Sequence, residues 1–214
     1  VTDTLTNSAW GSWEEWRDAH KRGYEIGNHG YRHHDLTKEP SKEWEYDINE
    51  SYNVIKEKIG VAPLSFVFPH DKFKYQLIDK VMERHEAIRI HDYLSKVYPG
   101  IFIAVYGGEL FSLETANKII DFAVERNYWV VAECHAIYSD DLKTFKPMTK
   151  EFFWNHLSYL KTQDDKIWVD TFINVYSYLD ERRFSEIEAT PITDNSVTIT
   201  IKTNLNPANI HIPL

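Results

Sequence analysis

The chain has 214 residues, long enough for one ordinary domain with a real core. An apolar content of 43% and an aromatic content of 14% mark a globular protein rather than a disordered one. The formal net charge of −9, with no basic run, argues against nucleic acid and anionic membrane as partners.

Residues 1–10 read as a strand exit and a loop. Ser12 with Glu15 has the pattern of a capping box and Gly23 reads as a helix stop, so a helix is predicted over about 12–22. Tyr24-Glu25-Ile26 reads as a short strand, which delivers the stretch Gly27–Leu36 with His29, His33 and His34. Pro40 and Ser41 open a long helix to about Ile59. Its apolar stripe is Trp44, Ile48, Tyr52, Ile55 and Ile59, and Gly60 ends it. Leu64-Ser65-Phe66-Val67-Phe68, halted by Pro69, reads as a buried parallel strand. A helix comes next at about 74–85 with Leu77, Ile78 and Val81 inward. Ala87–Ile90 and Ile101–Val105 read as strands. Ser112 starts a helix whose apolar face is Ala116, Ile119, Ile120 and Ala123, and Tyr128–Cys134 is the next strand. Thr149 caps a helix to about Thr162, Ile167-Trp168-Val169 reads as a strand, and Asp170 caps a helix to about Arg183.

This alternation of strand and helix is the pattern of an α/β fold, a parallel sheet or a β/α barrel. After Arg183 the period changes. Glu186–Thr190 and Ser196–Lys202 alternate with period two around Asp194-Asn195, which reads as a β-hairpin. A further short strand is predicted at Ile210–Ile212. The expected organisation is therefore a domain over 1–183 and a small β element over 184–214. Cys134 is the single cysteine, so no intrachain disulfide forms. No apolar run reaches membrane-spanning length.

The chemistry-bearing residues cluster after predicted strands, where open α/β folds place their sites. His29 and His33 stand four apart. Neutral imidazole is the commonest nitrogen ligand for zinc, and a helical turn or a tight loop brings both rings to one ion. The spacing alone is weak evidence; a polar surface loop with scattered histidines has the same pattern. The hydrophobic strand Tyr128–Cys134 runs into His135, and alternation places Glu133 on the same side as His135. Phe66-Val67-Phe68-Pro69-His70-Asp71 is a strand running into a proline turn.

Gly23-Tyr24-Glu25-Ile26-Gly27-Asn28-His29-Gly30-Tyr31-Arg32-His33 resembles the second motif of the polysaccharide deacetylases, the NodB-homology carbohydrate esterases. That pattern is Gly-His-Glu-Ile-Gly-Asn-His, then Ser or Thr, two residues, and His. The resemblance implies a (β/α) barrel-like deacetylase fold, with His29 and His33 as ligands of a divalent metal. Zinc is the first expectation, and imidazole ligation also suits cobalt or nickel. Phe66–Asp71 resembles the third motif, which implies that the backbone N–H of His70 faces the oxyanion. Trp129–His135 resembles the fifth motif, which implies that His135 is the catalytic acid. The family also implies a secreted or cell-envelope setting. Ile167–Phe172, together with the helix to Arg183 and the hairpin after it, resembles loosely the C-terminal part of some bacterial members.

The departures are specific. Gly30 stands where the family has Ser or Thr. Val67 stands at a frequent Arg, Asp71 at the usual Gly, and Glu133 at the Leu that lines the acetyl pocket. A carboxylate there would favour the protonated form of His135. Arg89 is a candidate polar partner in place of the fourth motif. Nothing before Trp10 matches the first motif, Thr-Phe-Asp-Asp, which supplies the general base and a third ligand. Val1-Thr2-Asp3-Thr4 lies too near His29 to be it. The chain, which starts at Val1 rather than Met, is therefore expected to be a segment of a longer protein, its fold incomplete.

The expected function is metal-dependent removal of acetyl groups from an acetylated polysaccharide or amino sugar. The alternative is a non-catalytic carbohydrate-binding protein on the same fold, its base lost. A fainter one is a different metal hydrolase with Glu133 as base.

Overall fold

In the computed structural model, the structure describes residues 11–108, 110–137, 145–193 and 196–204. The first helix, α1 (Trp13–Lys21), shows how local chemistry fixes an element. The Ser12 hydroxyl accepts the Glu15 N–H and the Glu15 carboxylate takes the Ser12 N–H, a reciprocal capping box. At the other end Gly23 N–H bonds the His20 carbonyl and Tyr24 N–H the Ala19 carbonyl. This Schellman closure needs a left-handed residue, and Gly23 supplies it with φ 93°.

Helix α2 (Ser41–Ile59) runs from Pro40 to a left-handed Gly60. Its predicted stripe is inward at Ile48, Ile55 and Ile59, and Asp47 and Ser51 are buried on the same side. Strand β1 (Ser65–Val67) comes next, then a one-turn 3₁₀ segment at Pro69–Asp71. Helix α3 (Tyr75–Met82) buries Leu77, Ile78 and Val81 as its pattern requires. Strand β2 (Ala87–Arg89) pairs parallel with β1, Phe66 opposite Ile88. A short helix, α4 (His91–Val97), has no counterpart in the sequence reading. Strand β3 (Ile101–Tyr106), helix α5 (Leu113–Arg126) and strand β4 (Trp129–Cys134) form a second parallel unit, with Val105 opposite Glu133. Helix α6 (Lys150–Lys161) is capped by Thr149.

The described parallel strands therefore pair two by two, β1 with β2 and β3 with β4. No closed barrel forms among the described residues. One core lies around β1 and β2: Leu36, Ile48, Phe66, Phe68, Leu77, Val81, Ile88 and Ile90. Burying one such side chain contributes roughly 1.5–3 kcal/mol. A smaller cluster of Ala104, Tyr106, Ala116 and Met148 fills the space between β3 and α5.

The chain divides by its contacts into two compact units, Val1–Val169 and Asp170–Leu214. The second contains helix α7 (Phe172–Phe184) and an antiparallel hairpin of β5 (Ser185–Thr193) and β6 (Ser196–Thr203). In the register Ile187 faces Ile201, Ala189 faces Ile199 and Pro191 faces Val197, so the predicted alternation puts one apolar face on the ribbon.

Three expectations are corrected. Tyr24-Glu25-Ile26 is not a strand; pairing reaches this segment only as an isolated bridge from Asn28 to Phe66. Ile167-Trp168-Val169 is not a strand either: it joins none of the described ladders, and Trp168 and Val169 are exposed. The cap of α7 is Thr171, whose hydroxyl accepts the Asn174 N–H, while Asp170 bonds the Thr171 N–H and the Asn174 side chain. The expectations for residues 1–10, the Asp194-Asn195 turn and the strand at Ile210–Ile212 lie outside the described residues. Among the described residues no helix is long and apolar enough to cross a membrane.

Candidate metal centre

The site is assembled at the carboxyl ends of the parallel strands. The Asn28 N–H bonds the Ser65 carbonyl at 2.9 Å and the Val67 N–H bonds the Asn28 carbonyl at 2.8 Å, so residues 27–28 lie against β1. Gly27 permits this approach, since a Cβ there would stand 2.7 Å from the Ser65 hydroxyl. His29 follows at once, beside the end of β1. His70 follows β1 across Phe68 and Pro69. Arg89 ends β2, and Glu133 and His135 stand at the end of β4.

The loop from His29 to His33 is tight and non-helical, and it turns the two rings onto each other. Their centroids are 4.8 Å apart at an edge-to-face angle of 70°. Nδ1 of His29 lies 2.8 Å from the Val67 carbonyl. In the tautomer where it donates, the bond fixes the ring and leaves Nε2 as the free lone pair, the arrangement in which histidines ligate metals. Burial, and then the neighbouring His33, lower the pKa of His29 to about 4, against the opposing pull of the Val67 bond. His33 is lowered too, by burial first and then by His70, with His135 also contributing. Both imidazoles are thus held neutral, the form that binds metal.

His70 joins the same cluster. Its ring centroid is 4.5 Å from that of His33, and its Nε2 lies 3.2 Å from the His33 carbonyl oxygen. Its backbone is left-handed at φ 61°, as are His33 at φ 60° and Asp71 at φ 54°. Such conformations cost non-glycine residues about 1 kcal/mol or more each and gather at functional sites. His34 is different: it is exposed and its Nδ1 lies 3.4 Å from the Glu39 carboxylate. Asp35 bonds the Thr37 hydroxyl and Lys72, which hold its carboxyl well below the usual carboxylate range.

A second set of residues stands beside these. Arg89, almost wholly buried, reaches Asp71 at 3.1 Å and Glu133 at 2.6 Å. The other Glu133 oxygen is 3.6 Å from His135 Nε2. Alternation therefore did place Glu133 beside His135, but Arg89 shares its charge. His135 is at the rim, with its ring packed on Phe145 at 4.9 Å. The line Asp71–Arg89–Glu133–His135 spans from the Pro69 turn to the end of β4.

His29, His33, His70 and His135 therefore come together at one end of the strands, and His34 does not. The donor chemistry suits a borderline divalent metal such as zinc, but it is partial. Among the described residues no group of three or more His, Cys, Asp or Glu is arranged to hold an ion. The sequence reading missed Asp47, Asn28, Ser51 and His85, a buried polar layer beneath the loop. The available signal was a carboxylate at position 47 inside the apolar stripe of α2, where a buried charge requires a partner.

The family model for polysaccharide deacetylase matches residues 2–86. A peptidoglycan deacetylase of Helicobacter pylori is 24% identical over 175 residues, 76% of this chain and 56% of its own length. The chain thus spans about half the length of that curated relative. Among solved structures, a candidate polysaccharide deacetylase from Mycobacterium smegmatis superposes with a TM-score of 0.58 at 14% identity, covering 82% of this chain and 70% of that one. The Xyl-CE4 domain of a multidomain xylanase from the hindgut metagenome of Trinervitermes trinervoides gives 0.53 at 12% identity, covering 84% and 75%. At such identities the structures establish the fold alone: mixed α/β, of the deacetylase type. The match to the polysaccharide deacetylase family model thus lies in residues 2–86, and the likeness of fold to the solved deacetylase structures extends over about four-fifths of the chain.

Proposed function

We propose that the chain is part of a metal-dependent deacetylase acting on an acetylated polysaccharide or amino sugar, with the chemistry in the portion before residue 184. The observation that carries this reading is the pair of neutral imidazoles, His29 and His33, facing each other at 4.8 Å with His29 locked on the Val67 carbonyl. A divalent ion bound there, zinc first, would lower the pKa of a bound water and polarise an acyl oxygen.

The chain's own residues have defined tasks in this reading. The N–H of His70, presented by the left-handed turn after Pro69, faces the developing oxyanion. His135 protonates the leaving amine or alcohol, with the Glu133 carboxylate 3.6 Å from its Nε2. Arg89 fixes Glu133 from behind and ties it to the Pro69 turn through Asp71. The general base is not among these residues.

The test is acetate release from a panel of chitin oligomers, peptidoglycan fragments and acetylated xylan, with the metal-stripped chain and with zinc, cobalt or nickel restored. Release that needs the metal and disappears in His29→Ala and His135→Ala supports the reading. Glycan binding with no acetate released under any metal supports the non-catalytic alternative instead.

A further inference from the structure

We infer that Asp47 of α2 is a positioning residue that sets the conformation of the loop between His29 and His33, an inference that rests on reading those histidines as ligands. Asp47 is fully buried, and its carboxylate is directed at two residues inside the motif. One carboxylate oxygen accepts the Tyr31 N–H at 2.9 Å; the other accepts the Arg32 N–H at 2.9 Å and Arg32 Nε–H at 3.1 Å. Charge-assisted bonds of this kind are roughly twice as strong as neutral ones.

The rest of the same helix face completes the grip. Arg32 donates to the Glu43 carboxylate at 3.0 Å and to the Glu43 carbonyl at 3.2 Å. Its guanidinium lies 5.5 Å over the Tyr46 ring, and Tyr31 meets that ring edge-on at 5.9 Å. Glu43, Tyr46 and Asp47 are spaced i, i+3 and i+4, one face of α2. One turn on, the Ser51 hydroxyl bonds the Asn28 side-chain oxygen at 2.6 Å, and that oxygen accepts the Gly30 N–H at 3.0 Å. So α2 holds the loop at Asn28 and again at Tyr31–Arg32, on either side of Gly30. The rings of His29 and His33 meet as a consequence of where these backbone positions are fixed.

Gly30 is the other half of the device. Its φ is +79°, and a Cβ on it would lie 2.6 Å from the Asp47 carboxylate and 3.4 Å from Pro69. The space a Ser or Thr side chain would fill, in the family pattern, is the space through which the carboxylate reaches the two amides. Glycine at 30 and aspartate at 47 therefore act as a coupled pair.

The experiment is zinc titration of the metal-stripped full chain against a competing chelator, with cobalt(II) absorption as a report of ligand geometry. The proteins are wild type, Asp47→Asn, Gly30→Ala, Asp47→Ala, the Gly30→Ala/Asp47→Ala double variant and His29→Ala, each shown to be folded by circular dichroism. Asp47→Asn keeps the shape but replaces one acceptor oxygen by an amide that cannot accept. We expect zinc affinity to fall about tenfold or more in Asp47→Asn, the range for lost outer partners of metal ligands, with altered cobalt bands. Gly30→Ala should produce a similar loss beside Asp47 but a smaller one in the Asp47→Ala background, because the clash is then gone. Should Asp47→Asn fail to fold, the Gly30→Ala comparison carries the test through the same contact. Zinc binding that is lost in His29→Ala yet unchanged in folded Asp47→Asn and Gly30→Ala would overturn this inference and leave the ligand reading standing. Wild type without zinc binding, or with binding unaffected by His29→Ala, would overturn both.

Discussion

Arg89 shows what one buried side chain does here. Its single charge is shared between Asp71 and Glu133, and nine-tenths of its side chain is out of water. Removing one partner from a buried ion pair is costly because the other charge is left desolvated. Arg89→Met should therefore lower unfolding free energy by about 3 kcal/mol, measured by urea denaturation. It should also lower acetate release at saturating substrate more than it changes KM, since Glu133 then loses the contact that fixes it beside His135. Arg89 was legible as a candidate polar partner at a strand end, but the groups it pairs with were not. Its two partners lie on other segments, and no local pattern announces a contact across 44 positions. His70 shows the opposite case. The Pro-His-Asp turn marked a strand end in the sequence, but the left-handed backbone that brings its ring onto His33 was not legible, because ordinary residues avoid that region.

At the scale of elements, helices were legible where their ends carry local chemistry. Ser12 with Glu15, Ser112 and Thr149 each cap the helix that the sequence assigned to them. Ser12→Ala should cost about 1 kcal/mol in thermal or urea unfolding, because the Glu15 N–H loses its acceptor. Strands were less legible, since a strand is defined by a neighbour and not by its own residues. Leu64–Phe68 has β2 beside it and forms β1. Ile167–Val169 is also apolar but joins none of the described ladders. The seven-residue α4 was missed for a related reason: its N-cap, Ile90, makes no side-chain cap bond, so no local start signal stands before it. In α2 the apolar stripe is plain in the sequence, but Asp47 and Ser51, buried on the same side, carry no apolar signal of their own.

At the scale of the whole molecule, the core beneath the site couples stability to pH. His85 is 2% exposed, wedged between the Val81 carbonyl, Asn28 and the ring of Phe66. Burial pushes its pKa from 6.5 down to about 4. The unfolded chain takes up this proton below about pH 6.5 while the folded chain resists until about pH 4. The contribution is thus complete above the upper value and lost as pH falls through the lower, about 3 kcal/mol in all. Urea denaturation at pH 7 and at pH 4 should show this loss, and His85→Gln should flatten it. The resemblance to the deacetylases and the fold type were legible because the histidine motif is local and dense. The support under it was not, because Asn28, Asp47, Ser51 and His85 meet only when α2, α3 and β1 pack. The central claim is that His29 and His33 hold one divalent ion, and elemental analysis after zinc loading tests it most directly. The account predicts one zinc per chain in wild type and in His34→Ala, and its loss in both His29→Ala and His33→Ala. Equal zinc retention in all three variants would contradict it.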